Sequence, residues 1–245
     1  MTSSKVLPLL LLLLLPSAAL AASISATPLI LTKSSREITI KWTRIESPSD
    51  LDWLGIYSPS NSPDDHFIGY RFLNGSDTWH TGSGSISIPL VNTRSDYQFR
   101  IFRWTRDEVN YRHHDHDHNP LPGTRHRLAG STTVRFENAE GPDQVHLAFT
   151  DRVDEMRVMF VTGKRSDAGV EYGLDPSLVG RRVVATTVTR YERSDMCDSP
   201  ANSSLGWRDP GFIHDGVMTG LDPGKRLVVM LLAGVRSTAL YLPTQ

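Results

Sequence analysis

The sequence predicts an all-β protein built from two tandem β-sandwiches. Short runs of alternating apolar and polar residues recur from residue 24 onward, and each run ends at Gly, Pro, Asn, Asp or Ser. Such period-two runs are typical of half-buried strands. No long apolar segment has the 3.6-residue period of a helix, which argues against α/β folds and their phosphate-binding loops. A chain of 245 residues has room for about two domains once a leader is subtracted.

Residues 1–22 predict a secretory signal peptide. Lys5 precedes an apolar run over residues 6–15, and small residues follow that run up to Ala22. The run is shorter than the ~20 residues that a membrane-spanning helix needs, so a membrane anchor is the weaker interpretation. We therefore expect a secreted, extracellular protein. Asn74 and Asn202 each open an Asn-x-Ser tripeptide among turn formers and are the expected glycosylation acceptors.

Alternation then predicts a first sandwich over residues 23–104. Ile38, Ile40 and Trp42 fall on one face of a strand whose other face is polar. An aromatic strand that contains Tyr97 and Phe99 is expected at the centre of this domain.

Residues 105–130 predict a connector, because the alternation stops and polar residues, His and a turn-rich Asn-Pro-Leu-Pro-Gly run replace it. A second sandwich is predicted over residues 131–226. There Met156, Val158 and Phe160 share one face of a strand.

The composition excludes several kinds of partner. Lys plus Arg number 26 and Asp plus Glu number 27, so the chain has no strong field that would attract nucleic acid or an anionic membrane. The single cysteine, Cys197, leaves no intrachain disulfide to form. A small buried or idle thiol is the preferred interpretation of Cys197, and pairing with a second chain is the alternative.

Several motifs resemble the N-terminal region of the large plant purple acid phosphatases. Pro-Asp-Gln-Val-His at residues 142–146 resembles the opening of that family's fibronectin-III-like domain. Residues 190–197 and 203–211 are similar to the larger members, residues 52–59 resemble their extra N-terminal fibronectin-like domain, and residues 115–124 resemble their inter-domain signature.

This resemblance implies two tandem fibronectin-III-like, or immunoglobulin-like, sandwiches over about residues 24–226. Residues 227–245 depart from the family and are expected to form a divergent C-terminal tail.

The resemblance also implies an activity for the intact relatives. They hydrolyse phosphate monoesters at a centre of Fe(III) paired with Zn, Mn or Fe(II). Four of their five ligand motifs contain Gly followed by Asp, Asn or His, and none of the 18 glycines of this chain is followed by any of these residues. We therefore expect no catalytic residue and no cofactor in this chain.

The resemblance implies that its partner is the family's phosphatase domain or a second copy of the chain. Two alternatives stay open. A longer product of the same gene could be the active phosphatase, or the chain could be a free-standing secreted binding module. Trp79 and Trp207 lie in turn-rich segments and are the aromatic candidates for such a module.

One concentrated set of potential metal ligands remains. In an extended segment His114, His116 and His118 would project to one side and could hold Zn²⁺ or Ni²⁺. Sequential histidines lack the partners that orient imidazole rings, and the same residues match the family's connector, so a solvated linker is the preferred interpretation.

Three further histidines are candidates for acid/base catalysis. Asp64-Asp65-His66 could form an acid/base cluster, but the neighbouring Ser, Pro and Asn residues favour a surface loop. His146 and His214 sit inside strand patterns, where a packed or backbone-bonded histidine is expected rather than a catalytic base.

Overall fold

The structure is a computed structural model that describes residues 21–106, 123–165, 168–175, 183–185, 187–233 and 235–243. The described part of the chain is all-β, with three short 3₁₀ turns and no α-helix. None of its described helical segments is long and apolar enough to cross a membrane.

The first sandwich consists of a three-stranded and a four-stranded antiparallel sheet. The strands in chain order are β1 (Ser23–Thr27), β2 (Ile30–Leu31), β3 (Arg36–Thr43), β4 (Asp52–Tyr57), β5 (Gly69–Phe72), β6 (Gly84–Leu90), β7 (Gln98–Arg106), β8 (Gly123–Gly130) and β9 (Arg135–Phe136). One sheet has the order β1-β3-β6, and the other has the order β5-β4-β7-β8. The short strands β2 and β9 pair in parallel beside them.

The core of the first sandwich lies between these two sheets, where the period-two pattern predicts it. Ile38, Ile40 and Trp42 on β3 are buried against Phe99 and Ile101 of β7 in one hydrophobic cluster. Alternation on β3 therefore identified the inward face of the strand correctly.

The second sandwich repeats the plan with two four-stranded antiparallel sheets. Its strands are β10 (Asp143–Phe149), β11 (Glu155–Thr162), β12 (Gly169–Gly173), β13 (Val183–Ala185), β14 (Thr187–Arg190), β15 (Phe212–Thr219), β16 (Arg226–Ala233) and β17 (Val235–Pro243). The sheets have the orders β10-β11-β15-β14 and β13-β12-β16-β17. Met156, Val158 and Phe160 point into the core, where they join Met218 and Val229.

The expected connector over residues 105–130 differs from the structure. β7 continues to Arg106, and Gly123–Gly130 forms β8, an edge strand that pairs with β7 in the first sandwich. The first core also includes Val134 and Phe136, which the sequence analysis assigned to the second domain. An edge strand is held by backbone hydrogen bonds on one side and needs little apolar alternation, so β8 has the composition of a linker.

The expected divergent tail over residues 227–245 also differs from the structure. Leu227, Val229 and Leu231 alternate into the second core, and β16 pairs with both β12 and β17. A continuous apolar run is the normal pattern of a strand buried on both faces. Departure from a family pattern was therefore a poor guide to where the domain ends.

Candidate functional site: the junction between the sandwiches

The residues that the sequence analysis singled out do not converge on one site. His114, His116 and His118 lie outside the described residues. Cys197 is exposed and is a free cysteine. Within the described residues, no group of three or more His, Cys, Asp or Glu side chains could hold a metal ion. The described part of the chain therefore does not fit the dinuclear metal centre of the family.

The acidic pair at residues 64 and 65 belongs to ion pairs with arginines. The Asp64 carboxylate lies 2.6 Å from the buried guanidinium of Arg100, and Asp65 pairs with Arg125. Arg100 in turn lies 3.9 Å above the ring of Tyr57, whose hydroxyl donates to the Asp64 carbonyl oxygen. Burial, followed by the charge of Asp64, raises the pKa of Tyr57 to about 12. These groups fasten the loop after β4 to the outer face of its sheet.

The two strand histidines differ in environment. His146 is exposed on β10, whereas His214 on β15 is fully buried and stacks on Phe160 at 4.9 Å. The His214 Nε2 atom lies 2.8 Å from the Thr162 hydroxyl, which itself donates to the Lys164 carbonyl oxygen. Nε2 is therefore the donor, and Nδ1 is a buried acceptor that has no hydrogen-bond partner within the described part of the chain. Burial lowers the pKa of His214, so the neutral ring is favoured.

The two expected glycosylation acceptors are both at the surface. Asn74 is exposed in a 3₁₀ turn, Leu73–Gly75. Asn202 is exposed in the loop between β14 and β15, and its amide nitrogen donates to the Cys197 carbonyl oxygen at 3.2 Å.

A residue that the sequence analysis missed, Arg94, joins the two sandwiches. It lies in the loop between β6 and β7, and its guanidinium donates to three carbonyl oxygens beyond the first domain's main strands. The acceptors are Ala139 at 2.6 Å, Gly141 at 2.9 Å and Val161 at 3.0 Å. Burial in this position lowers the pKa of Arg94, against the opposing effect of Asp143 and other nearby carboxylates. Arg94 is thus a half-buried cation held by carbonyl dipoles at the junction.

The backbone that presents Arg94 is itself fixed. Arg94 adopts a left-handed conformation with φ of 64°, and its amide donates to the Asn92 side-chain oxygen at 3.0 Å. Such Asn turns tolerate this conformation because the side chain bonds locally to the backbone. The Asn92 amide nitrogen also donates to the Ala139 carbonyl oxygen at 3.0 Å, so both residues hold the same linking segment.

Two further hydrogen bonds cross the junction. The Ser34 hydroxyl donates to the Asp143 carboxylate, and the Arg208 Nε atom donates to the Ser58 carbonyl oxygen at 2.9 Å. The segment that carries Arg208 passes close to β11 at Gly211. Gly211 has a φ of 89°, and a Cβ atom there would lie 2.1 Å from the Thr162 carbonyl oxygen. Glycine is therefore required for this close approach.

A cleft of about 620 Å³ opens beside these contacts. Its walls come from the loop after β4, the loop between β6 and β7 and the loop between β14 and β15, together with Glu140 and Gly163. The lining side chains include Asn61, His66, Ser95, Ser204, Trp207 and Arg208. Of the two tryptophans flagged by the sequence analysis, Trp79 packs against the first core and Trp207 lines this cleft.

Comparison with known proteins identifies the relatives of this chain. Residues 142–229 match the family model described as the N-terminal domain of purple acid phosphatase. A curated Arabidopsis thaliana protein named "Probable inactive purple acid phosphatase 9" is 54% identical over 215 residues, which is 87% of this chain and 33% of that protein. "Probable inactive purple acid phosphatase 1" of the same plant is 28% identical over 84% of this chain and 34% of that protein.

The chain therefore spans about a third of the length of the curated relatives it matches. A solved structure of a purple acid phosphatase from yellow lupin (Lupinus luteus) seeds has the same fold over 91% of this chain and 41% of its own. The TM-score is 0.70 and the identity is 24%.

Proposed function

This chain belongs to the purple acid phosphatase family and carries its N-terminal domain, and on that premise we propose that its two sandwiches are a non-catalytic unit that positions a phosphatase domain. The observation that carries this proposal is the junction. Arg94, Asn92, Ser34 and Arg208 hold the two sandwiches together through hydrogen bonds, four of which end on backbone carbonyl oxygens of the linking segment and the facing strand. A unit fixed in this way presents one rigid surface to a partner domain.

The absence of ligand motifs from the 245 residues supports the non-catalytic part of the proposal. No glycine is followed by Asp, Asn or His, so the family's Fe(III) and its divalent partner metal would have to be held by residues of another domain. The curated relatives are themselves named as probable inactive phosphatases.

The first experiment measures hydrolysis. The purified 245-residue chain is incubated with para-nitrophenyl phosphate, with and without Fe³⁺ plus Zn²⁺. We expect the rate to equal that of the metal ions alone. Hydrolysis that requires both protein and metal, and that a chelator abolishes, would defeat the proposal.

The second experiment tests the positioning role. This chain is mixed with the separately expressed remainder of the Arabidopsis relative that is 54% identical to it. We expect the two to co-elute from a sizing column, and we expect Arg94→Ala to weaken their association. Separate elution of the wild-type chain at micromolar concentration would count against a docking surface, as would self-association of this chain into a dimer instead.

We also propose that the chain is secreted and glycosylated. Support comes from the apolar leader over residues 1–22, from β1, which begins at Ser23, and from the exposure of Asn74 and Asn202. Expression in plant cells should deliver protein to the medium that begins at Ser23. Asn74→Gln and Asn202→Gln should each remove one glycan from its mass, and intracellular retention of unglycosylated protein would contradict this proposal.

A further inference from the structure

We propose that the cleft between the two sandwiches is a binding site for a neutral carbohydrate. The inference does not depend on phosphatase chemistry or on the docking role proposed above. It follows from the volume of the cleft, the balance of charge in its walls and the uncommitted polar groups that line it.

The size and place of the cleft suit a small organic ligand. Its volume of about 620 Å³ falls within the range of roughly 300–1,000 Å³ that is usual for small-molecule sites. Such sites occur preferentially where two domains meet, because each domain supplies one rigid wall. Here Asn61, His66 and Ser95 come from the first sandwich, and Ser204 and Trp207 come from the second.

The charges in the wall argue against an anionic ligand such as a phosphate ester. Arg94, Arg208, Glu140 and Asp209 all line the cleft, so the formal charges of the lining residues cancel. Asp209 also pairs with Arg190, which does not line the cleft. Both guanidinium groups are also engaged with backbone carbonyl oxygens: Arg94 with three, and Arg208 with those of Ser58, Leu205 and Trp207. A dianion would meet the Glu140 carboxylate and guanidinium groups that already donate to carbonyl oxygens, so its desolvation would cost more than the contacts would gain.

Polar groups of mixed character remain available for a ligand. The side chains of Asn61, His66, Ser95 and Ser204 make no side-chain hydrogen bond within the described part of the chain. Together they offer an amide, an imidazole and two hydroxyls, which can both donate and accept. A ligand that presents several hydroxyl groups, each a donor and an acceptor, matches this set better than a purely anionic or purely apolar one.

Trp207 supplies the apolar contact that a sugar ring needs. Its ring is half-buried in the wall of the cleft and makes no ring–ring contact with the other aromatic side chains of the described residues. The face of an indole carries negative charge density and attracts the weakly positive C–H groups of a sugar ring.

The loop that carries Trp207 is fixed in advance. The Ser203 hydroxyl donates to the Pro200 carbonyl oxygen at 2.8 Å and accepts from the Gly206 amide at 3.0 Å, and the Trp207 amide donates to the Ser203 carbonyl oxygen at 2.9 Å. A preformed loop lowers the entropy cost of binding.

The carbohydrate has two possible sources, and both share this chemistry. One source is a free saccharide. The other is a glycan attached to Asn202, which lies in the same loop two residues from Ser204. A glycosylated Asn202 amide keeps one N–H, so one donor is left for the Cys197 carbonyl oxygen.

The experiment titrates the 245-residue chain with neutral saccharides and follows binding by calorimetry and by NMR saturation transfer. The panel is cellotriose, xylotriose, mannotriose and N,N′-diacetylchitobiose, and inorganic phosphate and glucose 6-phosphate are the anionic comparisons. Wild-type protein and Asn202→Gln are both made in a secretory host. Binding to both proteins identifies a free saccharide as the ligand, and binding to Asn202→Gln alone identifies the protein's own glycan.

Variants locate the site. We expect Trp207→Ala to weaken binding of the best saccharide about tenfold, which corresponds to the loss of one stacked aromatic contact. The Asn61 side chain is exposed and makes no side-chain hydrogen bond within the described part of the chain, so Asn61→Ala should weaken binding of the saccharide without any effect on folding. This variant tests the site if Trp207→Ala does not fold. Phe149→Ala is the matched control, because Phe149 is exposed on the outside of the second sandwich.

Three outcomes would overturn the proposal. The first is that no panel member binds to either protein. The second is tighter binding of inorganic phosphate or glucose 6-phosphate than of any neutral saccharide. The third is saccharide binding that Asn61→Ala and Trp207→Ala leave unchanged, since the ligand would then lie elsewhere.

Discussion

The two sandwiches share a plan of two antiparallel sheets but fix their polar groups in different ways. In the first, the Tyr97 hydroxyl donates to the Val91 carbonyl oxygen at 2.6 Å just before β7 begins, and so anchors the strand to the preceding loop. In the second, Leu227 lies buried at the start of β16 and offers no such bond. Tyr172 serves there instead, because its hydroxyl donates to the Thr219 carbonyl oxygen and accepts from the Thr219 amide.

The two sandwiches also differ in their buried ionisable groups. The first sandwich buries Arg100 as a cation, paired with Asp64 and stacked on Tyr57. The second buries His214 as a neutral ring, one nitrogen of which has no hydrogen-bond partner among the described residues, and it also buries Glu171. The buried arginine of the first domain is therefore held by an ion pair, whereas the buried histidine of the second is uncharged. If the junction couples the two sandwiches, a change in one of them should alter the stability of the other.

The largest effects should come from the cores. Phe99 and Phe160 are fully buried, one in each sandwich, and Phe→Ala at either position should cost about 3–5 kcal/mol of the free energy of unfolding. Four of the five tryptophans, Trp42, Trp53, Trp79 and Trp104, lie in the first sandwich, so denaturation followed by tryptophan fluorescence reports on that domain. If the junction couples the domains, Phe160→Ala should also lower the fluorescence midpoint. A fluorescence midpoint that Phe99→Ala lowers and Phe160→Ala leaves unchanged would mean that the sandwiches unfold independently.

Removal of the junction cation should have the next largest effect. Arg94→Ala loses three charge-assisted hydrogen bonds and should cost about 2–4 kcal/mol. In the presence of Arg94→Ala, the additional substitution Phe160→Ala should no longer lower the midpoint of the tryptophan-fluorescence transition. Arg152→Ala is the matched control, because Arg152 is exposed and a surface substitution there should change stability much less than Arg94→Ala does. Equal effects of the two arginine variants would show that Arg94 does not hold the domains together.

The sequence predicted strands correctly where one face of the strand is exposed to solvent. Alternation located β3 and β11 and their inward faces to within a residue or two. It failed for β8, an edge strand with a polar sequence. A period-two pattern also cannot separate β13 from β14, which follow one another along the chain but belong to different sheets. Adjacent strands that switch sheets leave no mark on a period-two pattern.

Sequence patterns could not predict the contacts at the junction, for a physical reason. Arg94 acts on carbonyl oxygens 45 to 67 residues away, and backbone acceptors carry no residue signature. The usable local signal was Asn92 two residues before Arg94, because Asn at this spacing favours a turn. Trp207 was flagged from its turn-rich setting, but only the fold distinguishes it from Trp79.

A smaller effect is expected at the two anchoring tyrosines. Tyr97→Phe should cost about 1 kcal/mol, since it removes the hydrogen bond that the buried Tyr97 hydroxyl donates to the Val91 carbonyl oxygen. Tyr172→Phe should cost at least as much, because the Thr219 amide loses its acceptor as well. Chemical denaturation of the two variants makes this comparison. A Tyr172→Phe variant as stable as the wild-type protein would show that the second sandwich does not rely on this bond.

The smallest effect should be a pH dependence confined to the second sandwich. Burial lowers the pKa of His214, so its contribution to stability is complete above the unfolded value of about 6.5 and is lost as pH falls below that value. Denaturation between pH 5 and pH 8 should show this loss in the wild-type protein, and His214→Gln should lessen it. His146→Gln, at an exposed position, is the control. An unchanged slope in His214→Gln would assign the pH dependence to other groups.

The most direct test of the central claim is the tumbling of the two sandwiches in solution. Backbone ¹⁵N relaxation gives a rotational correlation time for each domain separately. If the two sandwiches form one rigid unit, both should have the same correlation time in the wild-type chain, as expected for one body that contains both domains. In Arg94→Ala the two domains should have shorter, unequal correlation times. Unequal, short correlation times in the wild-type chain would contradict the account.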